Sequence, residues 1–381
     1  MSSTIEPFQV RVDDSVLADL HERLVRTRFP DQIEGTGWEY GIPVDYLREL
    51  VEYWSDQYDW RAHEARLNEW AHFRSSIDGQ SIHFIHAPSP HVGAMPLLIT
   101  HGWPGSVVEF LDVIPRLTDP EAYGGRAADA FHVVAPSLPG YGFSEPPRTT
   151  GWDVQRTAAA FAVLMGRLGY TRYGAQGGDW GAQVSTRIAA SDPGHCAAIH
   201  LNMPMGSPPD DGAPLTAEEQ ADLAAMERFQ REEAGYANEQ GTKPQTIGAT
   251  LNDSPAGLLA WIVEKFRTWS DCDGRPENCY SKDQLITNVM LYWVTQTSAS
   301  SARLYWETRR SGILAQPLPF INQPTGVARY PKEPLRWPRS WVENQYNVTH
   351  WASMPRGGHF AAMEQPELFV DDLRSFFRSC R

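Results

Sequence analysis

The sequence is poor in cysteine, in long apolar runs and in positive charge, and each shortage excludes a class of protein. Its 381 residues include four cysteines, Cys196, Cys272, Cys279 and Cys380, which are too few and too scattered for a disulfide scaffold. None of them forms a C-x-x-C pair, so we expect no structural zinc and no other metal centre. A chain without a disulfide framework is typical of a reducing compartment, and the expected location is cytoplasmic.

No stretch of the chain approaches the roughly 20 apolar residues that would span a bilayer. The first residues have neither the basic end nor the apolar run of a signal peptide. Lys and Arg number 33 against 47 Asp and Glu, which gives a net charge of −14. This charge argues against nucleic acid or an anionic membrane as the partner. We therefore expect a small-molecule ligand, and the sequence is compatible with a homodimer.

Apolar residues make up 41% of the chain, enough for a sizeable core. Residues 8–75 have apolar side chains at helical spacing, so we assign 1–75 to an N-terminal helical region that packs on the core. Short apolar runs then alternate with helical patterns, which indicates an α/β fold with a mostly parallel, doubly wound sheet. Residues 204–320 predict a helical lid inserted between two parts of this core, 76–203 and 321–381.

The predicted elements follow the same periodicities. The expected core strands cover 81–86, 96–100, 130–135, 170–176 and 349–354. The expected core helices cover 106–117, 154–169, 182–190 and 365–378, and those of the lid cover 216–234, 256–269, 282–295 and 299–311.

The segment Gly177-Gly-Asp-Trp-Gly181 is the most informative about chemistry, because it joins a predicted strand to a predicted helix. A G-x-nucleophile-x-G turn in this context is typical of the nucleophile elbow of α/β-hydrolases. The central residue is Asp179, whose carboxylate is anionic at neutral pH and can attack an sp³ carbon to form an alkyl ester. From the pentapeptide alone, a plain glycine-rich turn with a helix-capping aspartate is the alternative.

The segment His101-Gly-Trp-Pro-Gly105 directly follows a predicted strand. In this fold the loop after that strand supplies one backbone donor of the oxyanion hole, and the residue after the nucleophile supplies the other. Trp103 and Trp180 are therefore the expected donors, whereas His101 is expected to be structural.

A third segment, Arg356-Gly-Gly-His359, lies between a late predicted strand and the last predicted helix. The order of nucleophile, acid and histidine makes His359 the expected catalytic base. Glu333 and Glu343 are the candidates for the acid that orients the imidazole and stabilises the imidazolium.

Together these segments resemble the epoxide hydrolase family, specifically its microsomal-type branch, over nearly the whole chain. The most specific matches are HGWPG at 101–105, GGDWG at 177–181 and RGGHFAA at 356–362. The resemblance implies an α/β-hydrolase fold with a lid, an epoxide as the small-molecule substrate, a vicinal diol as the product and no cofactor. Natural-product and xenobiotic metabolism both fit such an activity.

The resemblance also assigns roles to residues. It places the nucleophile on Asp179 and the base on His359, and it favours Glu333 as the acid. Two lid tyrosines that hydrogen-bond the epoxide oxygen fall on Tyr236 and Tyr305, which the residue pattern alone would assign to packing.

Three other functions are weighed against this one. A haloalkane dehalogenase would also use an elbow aspartate, with Trp180 holding the halide, but it would not need the two tyrosines. A serine-type esterase is disfavoured because the elbow carries Asp179. A non-catalytic hydrolase-fold receptor would be expected to lose a member of the triad, and all three members can be placed here.

Overall fold

A nine-stranded sheet runs through the computed structural model, which describes residues 4–210 and 212–381. The strands are β1 (Ile5–Phe8), β2 (His72–Ile77), β3 (Gln80–Ala87), β4 (Met95–Thr100), β5 (Phe131–Pro136), β6 (Tyr173–Gly177), β7 (Cys196–Leu201), β8 (Ile321–Arg329) and β9 (Tyr346–Ser353). Their order is β1-β2-β3-β5-β4-β6-β7-β8-β9. The pairings from β5 through to β9 are all parallel, and the other three, at one edge, are antiparallel. This is the mostly parallel sheet that the sequence predicts.

Helices account for most of the remaining chain. The N-terminal region contains α1 (Asp14–Val25), α2 (Val44–Asp56) and α3 (Trp60–Leu67). The first part of the core contains α4 (Ile114–Thr118), α5 (Val154–Arg167) and α6 (Asp179–Ser191). The segment between β7 and β8 contains α7 (Ala217–Glu232), α8 (Gly235–Gln240), α9 (Pro244–Asp253), α10 (Pro255–Thr268), α11 (Lys282–Thr295) and α12 (Ser298–Ser311). The last part contains α13 (Arg339–Gln345), α14 (Ala361–Glu364) and α15 (Pro366–Phe377).

The central strands bring the loops of the site together at one edge of the sheet. β4 and β6 are neighbours and parallel, with Thr100 opposite Gly177 at their carboxyl ends. Both strands are almost entirely buried, as expected of strands covered on both faces. The HGWPG and GGDWG segments follow these two strands directly, so they emerge side by side.

The N-terminal region differs from the prediction of helices alone over residues 8–75. That prediction is wrong at its ends, where β1 and the start of β2 pair antiparallel and extend the sheet. β1 has only four residues and contains Pro7, so it is too short to display an alternating pattern and can lie only at an edge. In β2 the apolar Phe73 and Ile77 are separated by Arg74 and two serines, which hides the period of a strand.

The N-terminal region contacts the segment between β7 and β8. The Tyr53 hydroxyl donates to Asp283 Oδ1 at 2.8 Å, and Lys282 Nζ lies 2.6 Å from Glu49 Oε1. The Tyr58 hydroxyl lies 3.0 Å from Thr287 Oγ1. These contacts join α2 and the turn before α3 to α11.

Other elements also differ from the prediction. The single helix expected over 106–117 is a 3-10 turn, Val107–Phe110, followed by the short α4. β7 was not predicted, because its small residues Ala197 and Ala198 make a weak strand signal. Among residues 4–210 and 212–381 there is no helix both long and apolar enough to cross a membrane.

Candidate active site

Asp179 is the first residue of α6 and directly follows the strand β6 and Gly178. Its φ of 48° lies in the left-handed region, which costs a non-glycine residue energy and is typical of functional turns. The flanking glycines are required sterically. A Cβ on Gly181 would lie 1.9 Å from the Thr100 carbonyl oxygen, and one on Gly177 would lie 2.1 Å from Gly181 backbone atoms. The elbow therefore has the tight geometry that its sequence predicts.

Two backbone amides point at the carboxylate of Asp179. The Trp103 N–H donates to Asp179 Oδ1 at 2.8 Å, and the adjacent Trp180 N–H, like that of Trp103, lowers the pKa of this carboxyl group. Burial raises the pKa of Asp179 above its usual value, and His359 and these two amides oppose that effect. The two amides thus lie where they would stabilise negative charge on an Asp179 oxygen, which is the geometry of an oxyanion hole.

His359 lies between two carboxylates. Its Nδ1 is 2.8 Å from Glu333 Oε2, and its Nε2 is 3.6 Å from Asp179 Oδ2. Burial alone would lower the pKa of His359, but Glu333 and Asp179 outweigh it and raise the pKa to about 9. The alternative acid, Glu343, lies on α13 and pairs with Arg339 at 2.7 Å. Of the two candidates, the structure therefore brings Glu333 to the histidine.

The loop that carries His359 is fastened to residues 269–271 of the segment between β7 and β8. The His359 N–H donates to the Trp269 carbonyl at 2.9 Å, and the Gly357 N–H donates to Asp271 Oδ2 at 3.0 Å. Glu364 accepts from the N–H groups of both Asp271 and Gly358, at 3.0 and 2.9 Å. The sequence did not predict this attachment, because none of its residues belongs to a local motif.

Tyr236 and Tyr305 reach the same place from α8 and α12. The Tyr236 ring stacks on the Trp103 ring, with centroids 4.8 Å apart and an interplanar angle of 9°. The Tyr305 ring meets the Trp180 ring edge to face at 4.7 Å, and it meets the Tyr236 ring in the same way at 5.9 Å. Burial raises the pKa of both tyrosines well above the usual value, so both hydroxyls keep their protons at neutral pH.

A cavity of about 580 Å³ opens on this side of Asp179. Its walls are largely apolar and include Met203, Met226, Phe229, Leu335 and Trp337, together with both tyrosines. Its volume is that of a pocket for a drug-sized small molecule. An electrophile placed here would face a carboxylate on one side and hydroxyl donors on the other.

A second, much smaller cavity of about 20 Å³ also borders Asp179. Asp179, His359 and Glu109 all line it. Sequence reasoning missed Glu109, although a lone acid within the apolar run Val107-Val-Glu-Phe-Leu111 was an available signal. His101 also lines this cavity. One of its ring nitrogens lies 2.9 Å from the Gly102 carbonyl oxygen, and the other accepts from the Leu138 N–H at 3.2 Å. Both contacts are to the backbone, which is consistent with a structural role.

No group of three or more His, Cys, Asp or Glu side chains that could hold a metal ion is found within residues 4–210 and 212–381.

Known proteins are similar to this chain in sequence and in architecture. A family model described as "Epoxide hydrolase N terminus" matches residues 5–110, and one described as "alpha/beta hydrolase fold" matches residues 95–260. The chain is 49% identical to a protein of Stigmatella aurantiaca (strain DW4/3-1) that is named as an epoxide hydrolase. The match extends over 379 residues, which is 99% of this chain and 86% of that protein. It is 39% identical to epoxide hydrolase 1 of Sus scrofa, over 98% of this chain and 88% of that one.

Solved structures agree with these relatives. The juvenile hormone epoxide hydrolase of the silkworm Bombyx mori superposes with a TM-score of 0.91 at 34% identity, over 100% of this chain and 95% of that one. The Aspergillus niger epoxide hydrolase superposes with a TM-score of 0.89, also at 34% identity, over 99% and 97% of the two chains. Sequence and structure thus lead to one conclusion: the fold is an α/β-hydrolase fold, and the chain belongs to the epoxide hydrolase family.

Proposed function

We propose that this protein hydrolyses an epoxide to a vicinal diol through a covalent ester on Asp179. In the first step the epoxide lies in the large cavity, and the Tyr236 and Tyr305 hydroxyls donate to its oxygen. This hydrogen bonding stabilises the charge that develops as the ring opens. Asp179 attacks one ring carbon, the C–O bond breaks, and one of the tyrosine hydroxyls transfers its proton to the freed oxygen, which gives a hydroxyalkyl ester and a tyrosinate.

In the second step His359, oriented by Glu333, takes a proton from a water molecule. The water oxygen attacks the ester carbonyl, and the Trp103 and Trp180 amides stabilise the oxyanion. The ester C–O bond then breaks, the imidazolium protonates the departing alkoxide, and the diol leaves. The proton of the new Asp179 carboxylic acid returns to the tyrosinate, which restores both groups. These side chains and backbone amides supply every group the reaction needs, so we propose a cofactor-independent enzyme.

One observation carries this proposal: the elbow residue is an aspartate whose carboxylate lies 2.8 Å from the Trp103 amide and 3.6 Å from an imidazole paired with Glu333. The Asp179 carboxyl group, the proposed nucleophile, therefore lies beside both the proposed oxyanion hole and an oriented base. This arrangement suits formation and hydrolysis of an ester on that group.

A single turnover in heavy-oxygen water tests the covalent step. With enzyme in excess over styrene oxide, the diol should take its oxygen from Asp179, and the label should enter the Asp179 carboxylate, as measured by peptide mass spectrometry. Asp253, whose side chain is 81% exposed, serves as the control for non-specific exchange and should stay unlabelled. Label that appears only in the diol would contradict the covalent mechanism.

The two tyrosines distinguish epoxide opening from dehalogenation. Tyr236→Phe and Tyr305→Phe should each slow ester formation from styrene oxide, and the double variant should lose a factor of about 10²–10⁴. Tyr346→Phe is the matched control, because that tyrosine is equally buried but bonds Thr186 at 3.1 Å outside the cavity. A double variant that keeps its rate on an alkyl halide would favour the dehalogenase, in which the free Trp180 indole N–H would hold the halide.

We also propose that residues 204–320 act as the lid over residues 76–203 and 321–381, and that 1–75 supports this lid from outside. The apolar walls of the large cavity favour a bulky apolar epoxide. A cytoplasmic location and a homodimer stay predictions from the sequence, to be tested by fractionation and by light scattering.

A further inference from the structure

The small cavity behind Asp179 has the size and chemistry of a site for one water molecule. Its volume of about 20 Å³ exceeds the roughly 10–15 Å³ that a single water needs. Thr100 Oγ1 and Gln176 Oε1 belong to residues that line it, both residues are 1% exposed, and neither oxygen has a hydrogen-bond partner within the described residues. Buried polar atoms of this kind usually bond to an ordered water.

Asp179 is the one residue that lines both this cavity and the large one. His359 lines only the small cavity, and Tyr236 and Tyr305 line only the large one. The groups proposed to open the epoxide therefore line one cavity beside the nucleophile, and the base lines the other. A water in the small cavity would be beside the base and the Asp179 carboxyl group while the ester fills the large cavity.

Glu109 brings a third carboxyl group to this cavity, and the mechanism above does not use it. The residue is 9% exposed, and its Oε1 lies against the backbone of Gly105, where a Cβ would come within 1.6 Å of it. Because Gly105, the last residue of HGWPG, has no side chain, the Glu109 carboxyl group can occupy the space beside its backbone. Burial raises the pKa of Glu109 to about 8, against the opposing effects of His359 and the Ser106 amide.

We propose that the small cavity holds the hydrolytic water and that Glu109 hydrogen-bonds this water and orients it toward His359 and the ester carbonyl. The inference rests on the proposed function. The proton balance of the second step is unchanged: the water proton goes to His359 and then to the departing alkoxide, and Glu109 contributes a hydrogen bond without net transfer. Glu109 thus acts in ester hydrolysis and not in ester formation.

Glu109→Gln keeps the shape of the side chain and removes its ionisable group. In rapid-quench experiments with styrene oxide, ester formation should stay within about threefold of wild type. Ester hydrolysis should slow by a factor of about 10–10², no more than the lower end of the range for groups that transfer the proton themselves. The ester on Asp179 should then accumulate in the steady state, and the pH profile of ester hydrolysis should change shape, which a merely structural role would not cause.

A second variant displaces the carboxyl group without removing it. In Gly105→Ala the new Cβ would collide with Glu109 Oε1, so the carboxyl must move away from its place. This variant should also slow ester hydrolysis selectively, and combining it with Glu109→Gln should add little because both act on one contact. Glu219→Gln is the control, because Glu219 is buried at 7% exposure but caps α7 instead of lining the cavity.

The outcomes separate this inference from the proposed function. In one outcome, both Glu109→Gln and Gly105→Ala form and hydrolyse the ester at the wild-type rate and with the wild-type pH profile. This result would overturn the role of Glu109 and leave the proposed function standing. Absence of any ester on Asp179, in wild type and in His359→Gln, would overturn the proposed function and this inference with it. Selective slowing of hydrolysis in both variants, with Glu219→Gln unchanged, is the expected result.

Discussion

Asp179→Ala should reduce epoxide turnover by a factor of about 10⁴ or more. Removal of a nucleophile that forms a covalent intermediate costs this much in hydrolases that act through such a group. The large cavity and both tyrosines remain in Asp179→Ala, so ligand binding should persist while chemistry stops. The measurement is kcat/KM for styrene oxide, together with intact-protein mass spectrometry to look for an adduct.

The matched control is Asp192→Ala, which removes an aspartate that bonds Tyr173 and His195 away from both cavities. It should turn over like wild type. Circular dichroism should give the same spectrum for both variants, so that loss of activity is not confused with loss of fold. An Asp179→Ala variant that still forms diol at more than a few per cent of the wild-type rate would mean that water attacks the epoxide directly.

His359→Gln should separate the two steps of the reaction. Ester formation needs the Asp179 carboxylate and the tyrosines, all of which remain, whereas ester hydrolysis loses its base. Turnover should fall by about 10³-fold or more, and a species heavier than the protein by the mass of one substrate should persist on the Asp179 peptide. His195→Gln, which alters a half-exposed histidine on the surface, is the control. Rapid release of diol without an adduct would contradict the assigned role.

The pH dependence of the second step follows from the charges around His359. The base must be neutral to accept the water proton, so hydrolysis should slow as the pH falls and His359 becomes protonated. In the free enzyme Glu333 and Asp179 raise the pKa of His359 to about 9. Alkylation turns the Asp179 carboxylate into a neutral ester, so the pKa of His359 should fall below that value. Stopped-flow hydrolysis of the preformed ester should therefore reach its plateau at a lower pH than 9.

The residues that were predictable from sequence lie in short local motifs. Asp179, Trp103 and Trp180 lie in turns directly after strands, where backbone geometry and glycine spacing constrain the residue types. Glu333 was one of two candidates, and only the tertiary structure brings it to 2.8 Å from His359.

The unpredicted parts depend on contacts between distant segments. Tyr236 and Tyr305 carry no local signal, so only the resemblance to a family singled them out among 14 tyrosines. Glu109 was missed because its burial depends on Gly105 and on the packing of its neighbours. β1 and β7 were missed because a four-residue edge strand and a strand of small residues have weak patterns.

The attachment of the histidine loop to Trp269 and Asp271 bears on how members of such a family can recombine. Exchange of residues 204–320 between homologues would replace the residue whose carbonyl receives the His359 N–H and the residue whose carboxylate receives the Gly357 N–H. In a chimera that takes residues 269–271 from one parent and residues 356–364 from another, the contacts that position His359 would be mismatched. In directed evolution by segment shuffling, these two segments should therefore be exchanged together, although about 85 residues separate them.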